Sequence, residues 1–549
     1  MKTTKLTHAL WVAALAMLFS GCASDNELTS PADKDNGNPA LLTFTAGTPD
    51  DGSAQTRVAY EDMGENDGKL TWQAGDRLIM AGFNTSEGYI YSNSYTYQGT
   101  PGETSGNFTG EPVPKAETYT AYYPSIVKYF DGDNTQISFP SMHGQKQQGA
   151  DKTAHLRDYI MLKAENILPG GSFTLEMQSS IMKFDLSSIP SDVGKLSSLI
   201  WTVDTDKGCK SLRLEFEDGI VDFGAGTTLT AYLGFMPEEM SVKAGGKFSV
   251  ILVGDKTYRA QVTIAGGKTY QAGMRYTATM SGEWEKVALM MFTVKLKDTD
   301  LSLSTPFVSN STLPVDIKID WGDGKEFSSE ASGASANFPH TYSSAGEYTV
   351  TVYSTETDDT RQQIPALRFR EIGTKLIRIE TPFLNTGGNS FIQCFKGCDN
   401  LKSIPPGLFD KNTNATDFSF CFVNCINLTD IPKNLFAKNK AATNFSSCFN
   451  NCTDLTLNPL IFGASSSNPE EEDKERFKGL KIDFSLCFHK VGTLAGSNTG
   501  TAPALWTYTG SENKDEDKAW TITNCFTNIN KNLTNYSLIP SDWGGPATP

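Results

Sequence analysis

Phe391-Ile392-Gln393-Cys394-Phe395-Lys396-Gly397-Cys398 is followed by Leu401, Ile404, Pro405, Leu408 and Phe409. The same order returns at Phe418 to Cys425, followed by Leu428, Ile431, Pro432, Leu435 and Phe436. It returns again at Phe445 to Cys452, followed by Leu455 and Leu460. Phe391, Phe418 and Phe445 are 27 residues apart, and so are Cys394, Cys421 and Cys448, and Cys398, Cys425 and Cys452. A unit this short cannot bury an apolar face alone, so its copies must stack and share one core. Cys487-Phe488 and Cys525-Phe526 open a fourth and a fifth copy. The fourth begins 39 residues after the third, and the charged run Pro469 to Arg476 fits a surface insertion there. Leu376, Ile379, Phe383 and Leu384 fit the tail of an earlier, degenerate copy, and Leu538 to Gly545 a capping half-copy.

Within one copy, apolar residues at i, i+3, i+4 and i+7 predict two turns of helix with one buried face. Leu401 to Ile404 then predicts a short strand, ended by Pro405. Cys487 and Cys525 have no cysteine four residues on, which leaves a fold-back cap open for the last third. The pattern CFxxCxxLxxIPxxLF resembles the BspA-type leucine-rich repeat, which implies an α/β solenoid over residues 359–549.

The chain has 549 residues, a length that suits several domains. It carries ten Cys, five His and a net charge of −16. The acidic balance excludes a nucleic-acid binder, which needs a basic face. Scarce His speaks against a multi-His metal centre or a His-based triad. Cys394, Cys398, Cys421, Cys425, Cys448, Cys452, Cys487 and Cys525 follow the repeat. Zinc would want supporting His, and Cys at i and i+4 on a helix are poorly aimed for a disulfide. Export would allow disulfides. Burial as free thiols, acting as small hydrophobes that mark the register, fits the ladder better. Cys209 has no assigned role, and neither metal nor cofactor is expected.

Upstream of the repeats, Val315 to Gly324 and His340 to Val352 alternate cleanly between apolar and polar residues. Asp323-Gly324 is a strong hairpin signal, expected to place both residues at φ > 0. The segments Asp320-Trp321-Gly322-Asp323-Gly324 and His340-Thr341-Tyr342 to Val352 resemble the PKD domain. That resemblance implies an immunoglobulin-like sandwich over 286–358, of a kind that acts as a spacer or as a carbohydrate- or protein-binding module. Asp298, Asp300, Asp316, Asp320 and Asp323 raise calcium as an alternative, but Asx turns and solvated strand edges explain them better. His340 is read as a packing and hydrogen-bonding residue.

Residues 41–285 hold short alternating runs broken by Gly, Pro, Asn and Asp, the pattern of all-β sandwiches. The stretch is too long for one small sandwich, so two are expected, 41–187 and 188–285. Leu42 to Ala46, Thr56-Arg57, Leu70 to Arg77, Phe108, Tyr119 to Pro124, Phe173 to Leu186, Leu233 to Pro237 and Gly267 to Tyr276 occur in an order that resembles the fimbrillin family of pilus proteins. In that family a protease cuts after an Arg behind the first strand. A donor strand from another subunit then fills the vacated groove by β-augmentation. The resemblance places that cut at Arg57.

Residues 1–21 read as an export signal. Lys2 and Lys5 precede the apolar run Ala9 to Phe19, which is too short to span a bilayer. Leu18 to Cys22 resembles a lipobox, which implies acylation of Cys22 and anchorage in the outer membrane. Residues 22–40 read as a polar tether.

The fold class expected is therefore mainly β and multidomain. It comprises tandem fimbrillin-like β-sandwiches, an immunoglobulin-like sandwich and a C-terminal leucine-rich-repeat-like α/β solenoid. The function expected is non-catalytic adhesion at the cell surface, as a pilus tip or accessory pilin. Its partners would be other pilin subunits, a host extracellular protein or glycan, and the outer membrane. The tip assignment follows from the long continuation after Met280, which leaves no free donor strand behind the second sandwich. The alternative is a stand-alone surface lipoprotein. No G-x-S-x-G elbow and no H-E-x-x-H helix is present, so no enzyme is expected.

Overall fold

Alternating burial becomes strand pairing from Leu42 to Ile379 in the computed structural model. It describes residues 41–47, 71–124, 127–131, 134–139, 141–150, 152–220, 228–308, 316–328, 337–355, 362–463, 476–494, 500–508, 511 and 520–546. Cys22 and Arg57 lie outside the described residues, as do the export signal and tether. Residues 41–549 form one unit, and the chain is mainly β.

The leading strands are β1 (Leu42–Gly47), β2 (Arg77–Asn84), β3 (Gly88–Tyr97), β4 (Ser105–Gly110) and β5 (Thr118–Tyr123). A two-stranded ribbon follows, β6 (Val127–Asp131) and β7 (Asn134–Ser138), then β8 (Gln145–Gln147). Next come β9 (Leu162–Ile167), β10 (Ser172–Thr174) and β11 (Glu176–Met177). These build an eight-stranded sheet in the order β10-β1-β4-β3-β2-β5-β9-β11. Phe44, Trp72, Leu78, Met80, Tyr95, Phe108, Tyr119 and Leu162 fill its core.

The second sandwich begins with β12 (Ser180–Ser187), β13 (Leu196–Thr205), β14 (Gly208–Ile220) and β15 (Leu229–Phe235). It continues with β16 (Gly246–Val253), β17 (Thr257–Ile264), β18 (Arg275–Ser281) and β19 (Glu285–Lys286). A three-stranded sheet, β15-β12-β18, and a six-stranded sheet, β19-β17-β16-β13-β14-β8, share one core around Trp201. The Trp201 ring lies 5.2 Å from Phe235, 5.5 Å from Phe248 and 5.9 Å from Phe184. The division expected after Ser187 therefore falls before Ser180. Met182, Phe184 and Leu186 of β12 fill the second core, and β8 pairs with β14. Alternation shows that a strand is half-buried but not which sheet it joins, because its partners lie tens of residues away.

The third sandwich is built from β20 (Leu289–Leu296), β21 (Ser302–Ser304), β22 (Ile317–Asp320), β23 (Glu326–Ser328), β24 (Pro339–Thr341) and β25 (Gly346–Ser354). A last strand, β26 (Leu376–Ile379), lies beyond the boundary expected at 358 and completes the sheet β23-β22-β25-β20-β26. Asp323 does not take positive φ; Gly322 (φ 78°) and Gly324 (φ 87°) do. The Asp320 carboxylate accepts the Gly322 N–H and Asp323 accepts the Lys325 N–H. Two successive Asx turns thus replace the expected two-residue hairpin.

β26 also starts the repeat array, through a parallel bridge from Arg378 to Ser403. Parallel bridges then link Ser390, Asp417, Asn444, Asp483 and Thr521 in sequence. The helix expected at 391–398 is absent. Cys394 N–H donates to Phe391 and Cys398 N–H to Phe395, each three residues back. The N–H groups of Phe391, Gln393, Phe395 and Gly397 instead donate to Asp417, Ser419, Cys421 and Val423 of the next coil. An α-helix would keep all these bonds within its own segment. The expected strand at 401–404 is likewise reduced to the single bridge at Ser403. The register runs on without folding back, since Phe484 donates to Thr521 and Phe488 to Cys525. The last coil is covered by Trp543, whose carbonyl accepts the Phe526 N–H.

Candidate functional site

The first strand is seated in a slot. β1 pairs antiparallel with β4, from Leu42 opposite Gly110 to Gly47 opposite Ser105, and parallel with β10 on its other edge. Phe44 and Ala46 point inward and are fully buried. The Phe44 ring meets Tyr119, Tyr95 and Phe173 edge-on at 5.1, 5.3 and 6.3 Å. Trp72 Nε1 donates to the Ala46 carbonyl at 3.3 Å. Thr43 and Thr45 face outward, where Thr45 Oγ1 donates to Asn107 at 2.8 Å. Without β1, two strand edges and two alternate apolar pockets would stand open, which is what an extended donor segment needs. Arg57, the expected cleavage point, falls in the segment outside the described residues.

The coils carry ladders of identical side chains. Phe369, Phe395, Phe422, Phe449, Phe488 and Phe526 form one column, with successive centroids 5.0–5.7 Å apart and ring planes within 11°. Phe391, Phe418, Phe445 and Phe484 form another, and Phe409, Phe436 and Phe462 a third. The eight repeat cysteines share the core with these columns, all free and fully buried. Burial pushes every one of these thiols up, Cys394 and Cys452 to about 12. Protonated thiols of this kind are poor nucleophiles and poor metal ligands. The Cys425 and Cys452 thiols donate to the Phe395 and Phe422 carbonyls at 3.1 Å. Where Cys487 and Cys525 lack a partner, Val491 and Ile529 are buried four residues on. The position therefore asks for small apolar volume rather than for sulfur chemistry. Ile392 and Phe420 stand exposed on the outer surface of adjacent coils.

In the third sandwich, His340 stacks on Trp321 at 4.7 Å, meets Tyr342 edge-on and bonds to Asp323 at 2.9 Å. Tyr342 donates its hydroxyl to the Trp321 carbonyl. These contacts lock the turn against the sheet. Asp300 accepts the backbone N–H and hydroxyl of Ser302 and pairs with Lys375. No group of three metal-ligating side chains occurs among the described residues.

The junction of the second and third sandwiches holds a charge cluster that sequence reasoning missed. Glu380, just after β26, is fully buried. Its Oε1 accepts from Thr293 at 2.6 Å, Ser211 at 3.0 Å and Arg378 at 3.1 Å. Arg213 of β14 lies 4.0 Å from its other oxygen and donates to the Ile379 carbonyl at 2.5 Å. Burial opposes ionisation, but His143, Arg378, Arg213 and the Thr293 hydroxyl outweigh it and hold Glu380 at about 2. Burial pushes His143 well below its usual value, so the standing positive charge near neutral pH is that of the arginines. Ile200, Ile251, Val253, Leu289 and Met291 pack beside this cluster. Cys209 sits on the same contact. Its N–H donates to the Gly322 carbonyl at 2.6 Å, and burial raises its thiol.

No family model and no curated protein matches the chain. Its structural neighbours are candidate adhesins of Bacteroides ovatus. A candidate cell adhesion protein shares 15% identity, covers 46% of this chain and 97% of its own length, and gives a TM-score of 0.23. One candidate adhesin gives 7% identity, 39% and 74% coverage and a TM-score of 0.20. Another gives 9% identity, 47% and 99% coverage and a TM-score of 0.21. Likenesses this distant carry no weight for the role of this chain.

The 27-residue period finds the thiol and ring ladders. It does not find Glu380, Arg213, Arg378 or His143, which come from three separate segments. Only the polar residues at alternate positions of β14, Ser211 and Arg213, hint that this face meets something other than lipid-like core. Among the described residues no helix is long and apolar enough to cross a membrane.

Proposed function

We propose that this chain is a non-catalytic cell-surface adhesion protein, a pilus tip or accessory pilin that accepts a donor strand in place of β1 and presents the third sandwich and coils as a binding head. In this reading Cys22 is the lipid attachment and Arg57 the cleavage point. The observation that carries it is the β1 slot, with both edges pairable and buried pockets at Phe44 and Ala46. A second feature supports a terminal subunit. The chain passes from β18 straight into β19 and β20, with no unpaired segment between them to serve as a donor. The head is also braced to the second sandwich by the Glu380 cluster, so a load on the coils passes into the sheets below.

The test is to purify pili from native cells and sequence the N-terminus of this subunit. A band beginning at Val58 is expected. A chain found only with acylated Cys22, and never in pili, supports the second reading, a stand-alone surface lipoprotein. That reading is favoured by β1 itself, which fills the slot in cis with both edges paired.

A further inference from the structure

Open sheet edges invite pairing with another chain, and this molecule guards most of its edges. In the four larger sheets the terminal strands β8, β10, β11, β19 and β23 are only two or three residues long. β26 passes on into the coils through the bridge from Arg378 to Ser403. That leaves the two edges of the sheet β15-β12-β18, each a strand of seven residues.

The β15 edge is closed by side chains. Gln145 and Gln147 of β8 are fully buried. The Gln145 amide accepts the Gly234 N–H at 2.9 Å and donates to the Gly234 carbonyl at 2.6 Å. The Gln147 amide accepts the Tyr232 N–H at 3.0 Å and donates to the Thr230 carbonyl at 3.3 Å. Two glutamines thus stand where a neighbouring strand would lie.

The β18 edge has no such cover. Ile181 N–H donates to the Met274 carbonyl at 3.1 Å, which sets the phase of the parallel pair β12-β18. Alternate residues of a parallel strand turn both backbone groups to the same neighbour. Tyr276, Ala278 and Met280 therefore face β12, and Thr277, Thr279 and Ser281 aim their N–H and C=O groups outward. Among the described residues no backbone bond reaches those outward groups. The side chains of Thr277, Thr279 and Ser281 are exposed, and Tyr276 to Ser281 contains neither Pro nor a charge. Shortness, proline and charge, the usual devices against edge pairing, are all missing from this stretch.

The edge is complementary to itself. With a two-fold axis at Ala278, an antiparallel second copy sets Thr277 opposite Thr279 and Thr279 opposite Thr277. All four residues point their backbone groups outward, so each pair exchanges two hydrogen bonds. Thr–Thr neighbours across antiparallel strands are favourable. Arg275 falls opposite Ser281 and diagonal to the exposed Glu283, so like charges stay apart and opposite ones come within reach. On the inner face Tyr276 falls opposite Met280, an aromatic ring against a thioether. A second copy carries this match in its own sequence.

We infer that β18 is a dimerisation edge, at which two copies of this chain join their three-stranded sheets into one continuous sheet. A contact of this kind, the same surface on both copies, closes at two. The inference does not rest on entry into a pilus. The dimer edge lies in the second sandwich and the β1 slot in the first, so either can fail alone.

The experiment is sedimentation equilibrium of the full chain over a range of concentrations. A reversible monomer–dimer equilibrium is expected, of the weak kind that a short contact gives. Thr279→Pro removes an N–H that faces solvent in the monomer, a placement that edge strands tolerate. The two-fold axis repeats the loss, so dimerisation is expected to weaken about tenfold or more. Thr277→Lys combined with Thr279→Lys sets like charges opposite each other twice and is expected to abolish the dimer. Thr277→Lys combined with Thr279→Glu sets opposite charges there and is expected to restore it. Thermal unfolding of each variant checks that the fold persists. A monomer at every concentration, a dimer indifferent to Thr279→Pro, or equal association of the two double variants overturns the inference.

Discussion

The first sandwich and the coil array bury similar aromatic residues and hold them by opposite means. In the first sandwich, β1 pairs with β4 about sixty residues on and with β10 well beyond a hundred. Its Phe44 is fixed only when those remote strands are in place. In the array, each stacked ring meets its counterpart on the next coil, usually 27 residues away, and alternate N–H groups such as those of Phe391, Gln393, Phe395 and Gly397 donate to that coil. One region therefore depends on strands that are remote in sequence. The other propagates stability from coil to coil and ends only where Trp543 covers it.

Removal of β1 should break this comparison most sharply. A chain cleaved at an engineered site within residues 48–70, with the 41–47 segment washed away, is expected to lose the unfolding transition of the first sandwich. The coil transition should persist, and a peptide with the sequence of Leu42–Gly47 should restore the first. Scanning calorimetry reads all three states.

Phe422→Ala removes one ring from the middle of the longest column. It is expected to cost about 3–5 kcal/mol and to lower the coil transition. If the same substitution destabilised the first sandwich equally, the two regions would not be independent. Glu380→Gln leaves Arg213 and Arg378 facing a neutral buried group, with a loss of about 3 kcal/mol expected. Its pH dependence carries a sign. Glu380 is depressed from a usual 4.5 to about 2, so its contribution is full above pH 4.5 and fades as pH falls from there toward 2. The wild-type minus Glu380→Gln stability difference, measured by denaturant titration, should shrink across that window.

Cys421→Ser sharpens the point about the thiol ladder. It places a hydroxyl where a small hydrophobe sits and is expected to cost about 1–3 kcal/mol. Cys421→Ala should cost less, because no polar group is then buried. A metal- or disulfide-dependent ladder would respond to chelator or reductant; a packing ladder would not, and circular dichroism of the treated chain distinguishes them.

Much of the array was legible because its contacts repeat in the chain. Phe391, Phe418 and Phe445 announce their own neighbours, and so do the Cys pairs. The local conformation was not legible. Residues at i, i+3, i+4 and i+7 face one side in a helix, and they also face one side in turns bent by positive φ at Gln393, Phe420 and Ser447. Periodicity reports the buried face but not whether an N–H bonds four residues back or to the next coil. In the sandwiches, Gly254-Asp255 lies in the turn between β16 and β17, a signal carried by adjacent residues. β12 joins the sheets of the second sandwich and β26 serves the sheet of the third sandwich as well as the array, because each pairs with strands that are remote in sequence.

The amino-acid order by itself determined the repeat period, the register of the rings and thiols, the alternation of the strands and the acidic balance of the chain. These depend on neighbours along the chain or on simple counts. Tertiary structure alone decided three things: that the coils are turns and not helices, that β26 serves both a sheet and the array, and that Glu380 meets two arginines. A buried charge is tolerated only once its partners have arrived from other segments. Hydrogen bonds between coils form only when the stack exists. Those terms belong to surfaces in contact, and no single stretch of sequence contains them.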